Sequence, residues 1–501
     1  MFIPCQIGSS QMIWVLLAAY MLFIVWVVVK GARGIKSMKD YATGSVSFSP
    51  YAVGLSLAAG MTSAATFIIN PGFIAYYGIS AFISMGLVLP VGALISLVVF
   101  SKKFRQIGNH IQANTLSQWI GMRYQHKGFS MFMAFLTLLL ITFIVLICVG
   151  LTQILCKATG VGEVWMLLGI VAFTFGYMMF GGANSMVYTN AAQAIIMLIV
   201  AIILLSSGFN YFSGSSAGLF SALNTIDPQL TSIFNPSSPL FRDFFEVIVC
   251  QLIVGIAIVC QPHIITRSLL LKSEKSVNKY LVTGVVVQTI FFLVVFTGLY
   301  ARVHFPGLVD NGKPIPLDAV MSTWVVSKFP AIVSTLLVWG MMAAGISTLE
   351  GLIQSLSTTI TEDIIKPVFS SKKEYDLTIN RVVIFVLGVI AFLLSWEQLR
   401  HPDLSVGIFA QNGVYAFFSA AFVPVLFGIF LKKIPAYIPF TASVMAVIVH
   451  FGVYYFRLTP YMEQGTRNPG IASALAIVVS VVSAMVLYAY FLNTQKKEVL
   501  A

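Results

Sequence analysis

Charge is what this sequence has least of. Only 9% of its 501 residues are Asp, Glu, Lys or Arg, where soluble domains average about 25%. With 58% hydrophobic residues and a mean hydropathy of +0.92, a soluble globule is excluded, and the chain reads as a polytopic membrane protein whose helices satisfy their own backbones. Cysteine is sparse as well. Cys5, Cys148, Cys156, Cys250 and Cys260 form no CxxC pair, and all but Cys5 lie in apolar spans or at the end of one, so they read as packing residues rather than metal ligands or disulfides. The six histidines are scattered without an HExxH, so a zinc enzyme finds no support. No acid–base or metal constellation lies near an interface, which argues against a membrane-embedded enzyme. The first apolar stretch has no basic leader and is followed by KGARGIK, which suits a retained first span rather than a cleaved signal. No soluble output domain is apparent, so a solute sensor would need a partner protein, and no obligate protein partner is inferred.

What the chain does have is spans. Thirteen are expected, at 12–29, 50–69, 80–100, 130–155, 164–180, 188–209, 245–265, 280–303, 331–360, 382–396, 406–431, 436–456 and 471–492. The formal charge of +12 then becomes a topology signal. Most Lys and Arg fall in alternate connections, among them Lys30, Arg33, Lys102, Lys103, Arg105, Arg267, Lys372, Lys373, Lys432 and Lys433. The positive-inside rule puts the amino terminus outside and the carboxyl terminus in the cytoplasm. The expected location is a plasma membrane, in a bacterium the inner one, and the bilayer rather than nucleic acid is the partner of this charge.

The stretch MMAAGISTLEGLIQSLSTTITED, at 341–363, carries the strongest pattern. At 100° per residue Ser347, Glu350, Gly351, Gln354, Ser355, Thr358 and Thr361 fall on one side, and Ile346, Leu349, Leu352, Ile353, Leu356 and Ile360 on the other. Hydroxyls and a carboxylate aimed at lipid would go unsatisfied, so the polar side is expected to face a pathway inside a bundle. Earlier, SLAAGMTSAAT at 56–66 is built of small and hydroxyl residues, which suit either close helix packing or local unwinding. Asn70-Pro71-Gly72 marks a break near the outer end. The basic connection 101–128, with TLSQWIGMRYQ, has room for a short helix on the inner surface, anchored by its Arg and Lys to anionic headgroups. GGANSMVYTNAAQ, at 181–193, reads as a tight cytoplasmic turn that starts the next span with Thr189, Asn190 and Gln193. The connection 210–239, rich in Ser, Asn, Gly and Pro, reads as a loop. In VGIAIVCQPHIITRSLL, Gly255 and Pro262 are possible break points, although a simple kink is the commoner role of a span proline. The last two spans, with little polar content, read as periphery.

The spans group as one, five, five and two, with broken helices opening both groups of five, the best sequence pointer to an inverted-repeat transporter. On GG…TNAAQ, QPHIITR and AGIST…STTITED, and over most of its length from DYATGS to about residue 431, the chain resembles the sodium/solute symporter family of sodium/proline, sodium/pantothenate, sodium/glucose and monocarboxylate transporters. The resemblance implies an all-α membrane protein with a LeuT-type 5+5 inverted-repeat core in a single domain. An extra first helix at 12–29 would precede repeats at 50–209 and 245–431, and two extra helices would follow at 436–492. It implies a secondary active symporter, not an enzyme, that couples inward sodium movement to uptake of a small organic solute by alternating access. Carried over by position, the sodium ligands are the carbonyls of Ala59, Thr62 and Ala344 and the hydroxyls of Ser347 and Thr348, a set that suits a hard cation.

Two departures stand out. The family pattern has Asp where this chain has Asn190, and Glu350 occupies the hydroxyl position one turn beyond Ser347. The carboxylate is thus expected to have moved across a second cation or proton site of Asn190, Glu350, Gly351 and Gln354. There Glu350 would be protonated, paired with a cation, or hydrogen-bonded by Asn190 or Gln354, a packed structural acid being the plainer alternative. Proton coupling through Glu350, or a transporter-derived sensor, are the alternative functions. At the two breaks the solute would meet Ser63, Ala65, Val254, Ile258 and Pro262; Ala65, Val254 and Ile258 stand where the proline transporter places bulky aromatics, so that pocket is not carried over. The lean is to an organic anion or amino acid.

Overall fold

The computed structural model describes residues 6–212, 218–369, 373–401, 405–463 and 465–500, which leaves Cys5, Lys372 and the loop residues 213–217 outside it. Among the described residues ten helices are long and apolar enough to cross a bilayer, twelve if each of two bent pairs is one span. The thirteen-span reading divides one of these runs. Helix α8 (Glu163–Ser206) has 44 residues, about 66 Å at 1.5 Å per residue, twice the roughly 30 Å hydrocarbon layer. It breaks at Gly182, whose φ of 61° and ψ of −168° suit glycine alone. The tight turn expected within 181–193 falls at this residue, and Thr189, Asn190 and Gln193 lie in the helix that follows, as the sequence predicts.

Helix α1 (Gln6–Ala32) and the short α2 (Met38–Thr43) lead into the first bent pair, α3 (Pro50–Met61) and α4 (Ala65–Tyr77), which meet at 54°. Thr62, in extended geometry (φ −102°, ψ 99°), ends α3. The break expected at Asn70-Pro71-Gly72 does not occur. A π turn at Ala65–Ile69 precedes Pro71 and widens the helix, so the ring is accommodated and the chain turns only at Gly78 (φ 72°). Helix α5 (Ile79–Ile111) follows, then α6 (Leu116–Arg123) and α7 (Lys127–Thr159). The second bent pair, α9 (Phe245–Ile258) and α10 (Pro262–Leu270), meets at 58°. Here Pro262 opens a new helix at a position where its missing N–H is no loss, and Gln261 before it is extended (φ −70°, ψ 136°), as a residue preceding proline should be.

Helices α11 (Lys275–His304), α12 (Val320–Lys328), α13 (Ala331–Thr359, continuing to Phe369), α14 (Asp376–Arg400), α15 (Val406–Phe430), α16 (Tyr437–Phe456) and α17 (Pro469–Leu500) complete the bundle. The most enclosed are α13 and α15, and α13 packs along α8, α7 and α3. Trp14, Leu22, Trp26 and Val29 of α1 and Val382, Phe385 and Leu393 of α14 are exposed, the outward face that lipid covers. The last two spans are less peripheral than expected. Cys250 of α9 shares a buried cluster with Val453 and Tyr454 of α16 and Ile471 of α17.

Two connections depart from the sequence reading. The stretch 210–239, which the sequence reads as a loop, contains a helix, Leu219–Ile226, that buries Leu219 and Leu223. In α6, Trp119 stacks on Phe104 with centroids 4.7 Å apart, and the Arg123 guanidinium donates to the last carbonyls of α15, Gly428 at 2.8 Å and Leu431 at 2.5 Å. Arg105 donates likewise to Leu271 O at 2.7 Å. These arginines close helix ends rather than reaching for headgroups, because a guanidinium satisfies orphan carbonyls that lipid cannot. Lys102 and Lys103 stay exposed.

A side chain at Gly182 would place its Cβ 2.8 Å from the Tyr41 ring and 3.0 Å from the Tyr41 carbonyl. With the backbone strain added, Gly182→Ala is expected to destabilise the protein by about 1–3 kcal/mol, seen as a lower melting temperature in detergent.

Candidate functional site

The two unwound stretches and the buried face of α13 meet inside the bundle. Ser347 Oγ lies 2.9 Å from both Ala59 O and Ala344 O. Thr348 Oγ1 lies 3.5 Å from Ala59 O, 3.4 Å from Gly60 O, 3.4 Å from Thr62 O and 3.3 Å from Ala344 O. All five positions nominated for sodium are thus brought together, and the Gly60 carbonyl, which the sequence reading missed, joins them. A threonine hydroxyl has one proton to donate. Four carbonyl oxygens around it leave lone pairs facing lone pairs, a surplus of oxygen that a small cation fits and a helix alone does not need. Gln288 of α11, also missed, donates from Nε2 to Thr62 Oγ1 at 2.8 Å and so holds the unwound residue in place.

One turn along α13, Glu350 is fully buried and is held by residues other than those expected. It accepts from Tyr177 OH at 2.5 Å and from Thr189 Oγ1 at 2.6 Å, both on α8. Asn190 instead donates to the Ser347 carbonyl at 3.2 Å, and Gln354 donates to Tyr41 O at 2.8 Å and Ala42 O at 3.1 Å. The reason is register: Asn190 faces the Ser347 turn, and Gln354 lies one turn beyond Glu350, level with the carboxyl end of α2. Asn190 Oδ1 and Gln193 Oε1 remain buried without a partner. Gly351 is where it is for space, since a Cβ there would come within 2.9 Å of Arg267 Nη2. That buried guanidinium donates to Ser56 Oγ and to His263 O at 3.2 Å and leaves Nη2 unpaired.

On the other side of the unwound residues lies a cavity of about 110 Å³ between the two bent pairs. Of the five residues predicted to meet the solute, Ser63, Ala65 and Ile258 line it; Val254 and Pro262 do not. Val254 packs in the apolar core. Pro262 lines a smaller polar pocket with Thr266, Gln354 and Thr358, because successive residues at a helix start are turned about 100° from one another and do not share a face. Its neighbours Gln261 and His263 face the main cavity in its place, with Phe143, Phe292, Gln411 and Tyr415 among the rest of the wall. Gln261 and His263 were within the quoted QPHIITR motif, but nothing in spacing alone said which side they would face.

Comparison with known proteins agrees with this architecture. Residues 41–448 match the sodium:solute symporter family. The sodium/pantothenate symporter of Haemophilus influenzae is 26% identical over 454 residues, covering 87% of this chain and 88% of that protein. The high-affinity proline transporter PutP of Bacillus subtilis is 26% identical over 419 residues, covering 79% and 82%. Among solved structures, a sodium-coupled sialic acid symporter in a substrate-bound, outward-open state superimposes with a TM-score of 0.74 at 18% identity, over 95% of this chain and 98% of that one. The fold is therefore of the LeuT type.

Tyr177→Phe and Thr189→Val each leave a carboxylate oxygen of Glu350 buried without its donor. Each is expected to lower stability by about 1–3 kcal/mol, measured by thermal unfolding of the purified protein; unchanged melting would mean that the carboxylate is held by other groups.

Proposed function

This chain belongs to the sodium:solute symporter family, and we propose that it works by alternating access around the two bent helix pairs. It is a sodium-coupled carrier of a small organic solute, in a family of transporters and not of enzymes. In our reading the sodium ion sits among the carbonyls of Ala59, Gly60, Thr62 and Ala344 and the hydroxyls of Ser347 and Thr348. The single observation that carries this is the four carbonyl oxygens gathered within 3.5 Å of the Thr348 hydroxyl. The ion would tie α3 to α13 and hold Thr62 and Ser63 unwound, which shapes the solute cavity on their far side. We assign the solute to that cavity, at Ser63, Ala65 and Ile258, and its class to organic anions or amino acids, in line with the pantothenate and proline carriers among the relatives. The two repeats are taken as 50–209 and 245–431, and the distribution of Lys and Arg supports an amino terminus outside and a carboxyl terminus inside. Each sodium charge crossing inward gains about 2.3 kcal/mol per 100 mV of membrane potential.

Glu350 is assigned a second cation, with the unpaired Asn190 Oδ1 as a neighbouring acceptor. It stands on α13 opposite the position where the family pattern carries an Asp. A carboxylate whose two oxygens already take Tyr177 and Thr189 is strongly held, so it serves as a fixed counter-charge rather than a mobile gate.

Ser347→Ala and Thr348→Ala are expected to raise the sodium concentration for half-maximal uptake roughly tenfold, the loss of about 1.4 kcal/mol of ion binding, while expression is retained. Uptake with unchanged sodium affinity in proteoliposomes refutes the site. For Glu350, uptake is compared in Glu350→Gln, Asn190→Asp and the double variant. A relocated cation carboxylate predicts that Asn190→Asp restores part of the sodium dependence lost in Glu350→Gln. If Glu350→Gln instead abolishes only the pH dependence of uptake, the group carries a proton.

A further inference from the structure

We propose that Gln261 and His263 are the specificity-determining pair of the cavity, and that they select a solute by an uncharged N–H or O–H group. This rests on the transport reading of the same cavity and names the chemistry it takes. The starting point is what the wall lacks: no Asp, Glu, Lys or Arg lines it. With no acidic side chain in the wall, a cationic group on the solute meets no counter-charge there, and stripping an ammonium of water without one is expensive. What the wall offers is apolar surface, with Met85, Leu89, Phe143 and Phe292 among it, and several polar side chains, of which Gln261 and His263 are each 2% exposed and each hold a polar atom without a partner. Gln261 donates from Nε2 to the Ile258 carbonyl at 3.1 Å, and its Oε1 has no partner. The Ile258 carbonyl can only accept, so it fixes the amide with its oxygen free, a pure acceptor waiting for a donor. His263 Nδ1 is likewise unpartnered, with the ring beside Phe143 at a centroid distance of 6.2 Å.

Buried polar atoms without partners are rare in folded proteins and disfavour the state that contains them. Two of them, on residues that flank Pro262 at the second helix break and line one cavity, are best accounted for by a ligand that completes their bonds. The cavity of about 110 Å³ has room for on the order of ten water molecules. The solute class is accordingly a small organic molecule with a hydroxyl or amide N–H next to an apolar segment. A molecule whose only donor is an ammonium is disfavoured. Sites built to bond a particular donor discriminate strongly against analogues that lack it.

The test uses purified full-length protein in saturating sodium, with binding read as thermal stabilisation by a panel of pantothenate, lactate, L-proline and glycine betaine. Pantothenate or lactate is expected to bind roughly tenfold or more tighter than L-proline and betaine. Gln261→Leu and His263→Ala should each weaken that binding about tenfold, with the sodium concentration for half-maximal stabilisation unchanged. The melting temperature of each variant without solute controls for folding, and Gln261→Met replaces Gln261→Leu if the latter does not fold. Strongest binding of L-proline or betaine overturns the inference, as does unaltered affinity in both variants or the failure of every probe to bind. Sodium-driven uptake of L-proline into proteoliposomes would sink this inference and leave the symport reading standing; absence of any sodium-driven uptake would strike the symport reading itself.

Discussion

A membrane helix that stops bonding to itself must find other partners for the freed groups, because lipid offers none. That constraint organises this protein. At Thr62 and Ser63 the first bent helix gives up its regular bonding, and the carbonyls of Ala59, Gly60 and Thr62 are met not by another backbone but by the hydroxyls of Ser347 and Thr348 on α13. Too few protons for the oxygens present is an unstable way to finish a protein interior and a good way to hold a cation. The rest of the bundle can be read as keeping those two segments at that separation, with Gln288 pinning Thr62 from α11 and Asn190 pinning the Ser347 carbonyl from α8.

The same unwound stretch also supplies the geometry for coupling. Met61 and Ser63 line the solute cavity, while the carbonyl of the residue between them points at Thr348 on the opposite side. In the proposed mechanism the cation and the solute never touch; each sets the conformation of one short piece of backbone that the other also needs. A peptide stretch with two faces is enough to link two binding equilibria, since whatever orders it for one ligand removes the ordering cost for the other. The bend at Gln261 and Pro262 does the corresponding work on the opposite wall, where proline ends one helix and starts another without sacrificing a hydrogen bond.

Glu350 shows how a buried acid is tolerated at this depth. Two short hydroxyl bonds from α8 take up its oxygens, and the guanidinium of Arg267, packed where Gly60 and Gly351 leave room, places a positive charge in the same region. Both glycines matter for the absence of a side chain rather than for backbone freedom: a Cβ on either would collide with the guanidinium.

By itself the sequence determined what periodicity, composition and charge can express: a helical membrane bundle, two interrupted helices, a polar face on 341–363 turned inward, and, through its motifs, the residues that converge around Thr348. Those features are local, since small residues, a proline or a 3.6-residue repeat act on their own segment wherever it ends up. What only the tertiary structure decided was who faces whom. Tyr177 reached Glu350 across 173 positions of chain, Asn190 went to a carbonyl instead, Val254 and Pro262 turned away from the cavity while Gln261 and His263 turned toward it, and Arg105 and Arg123 closed helix ends. Each of these depends on the rotation of one helix about its axis relative to another, and a single residue of register, about 100°, is enough to exchange a lining residue for a buried one.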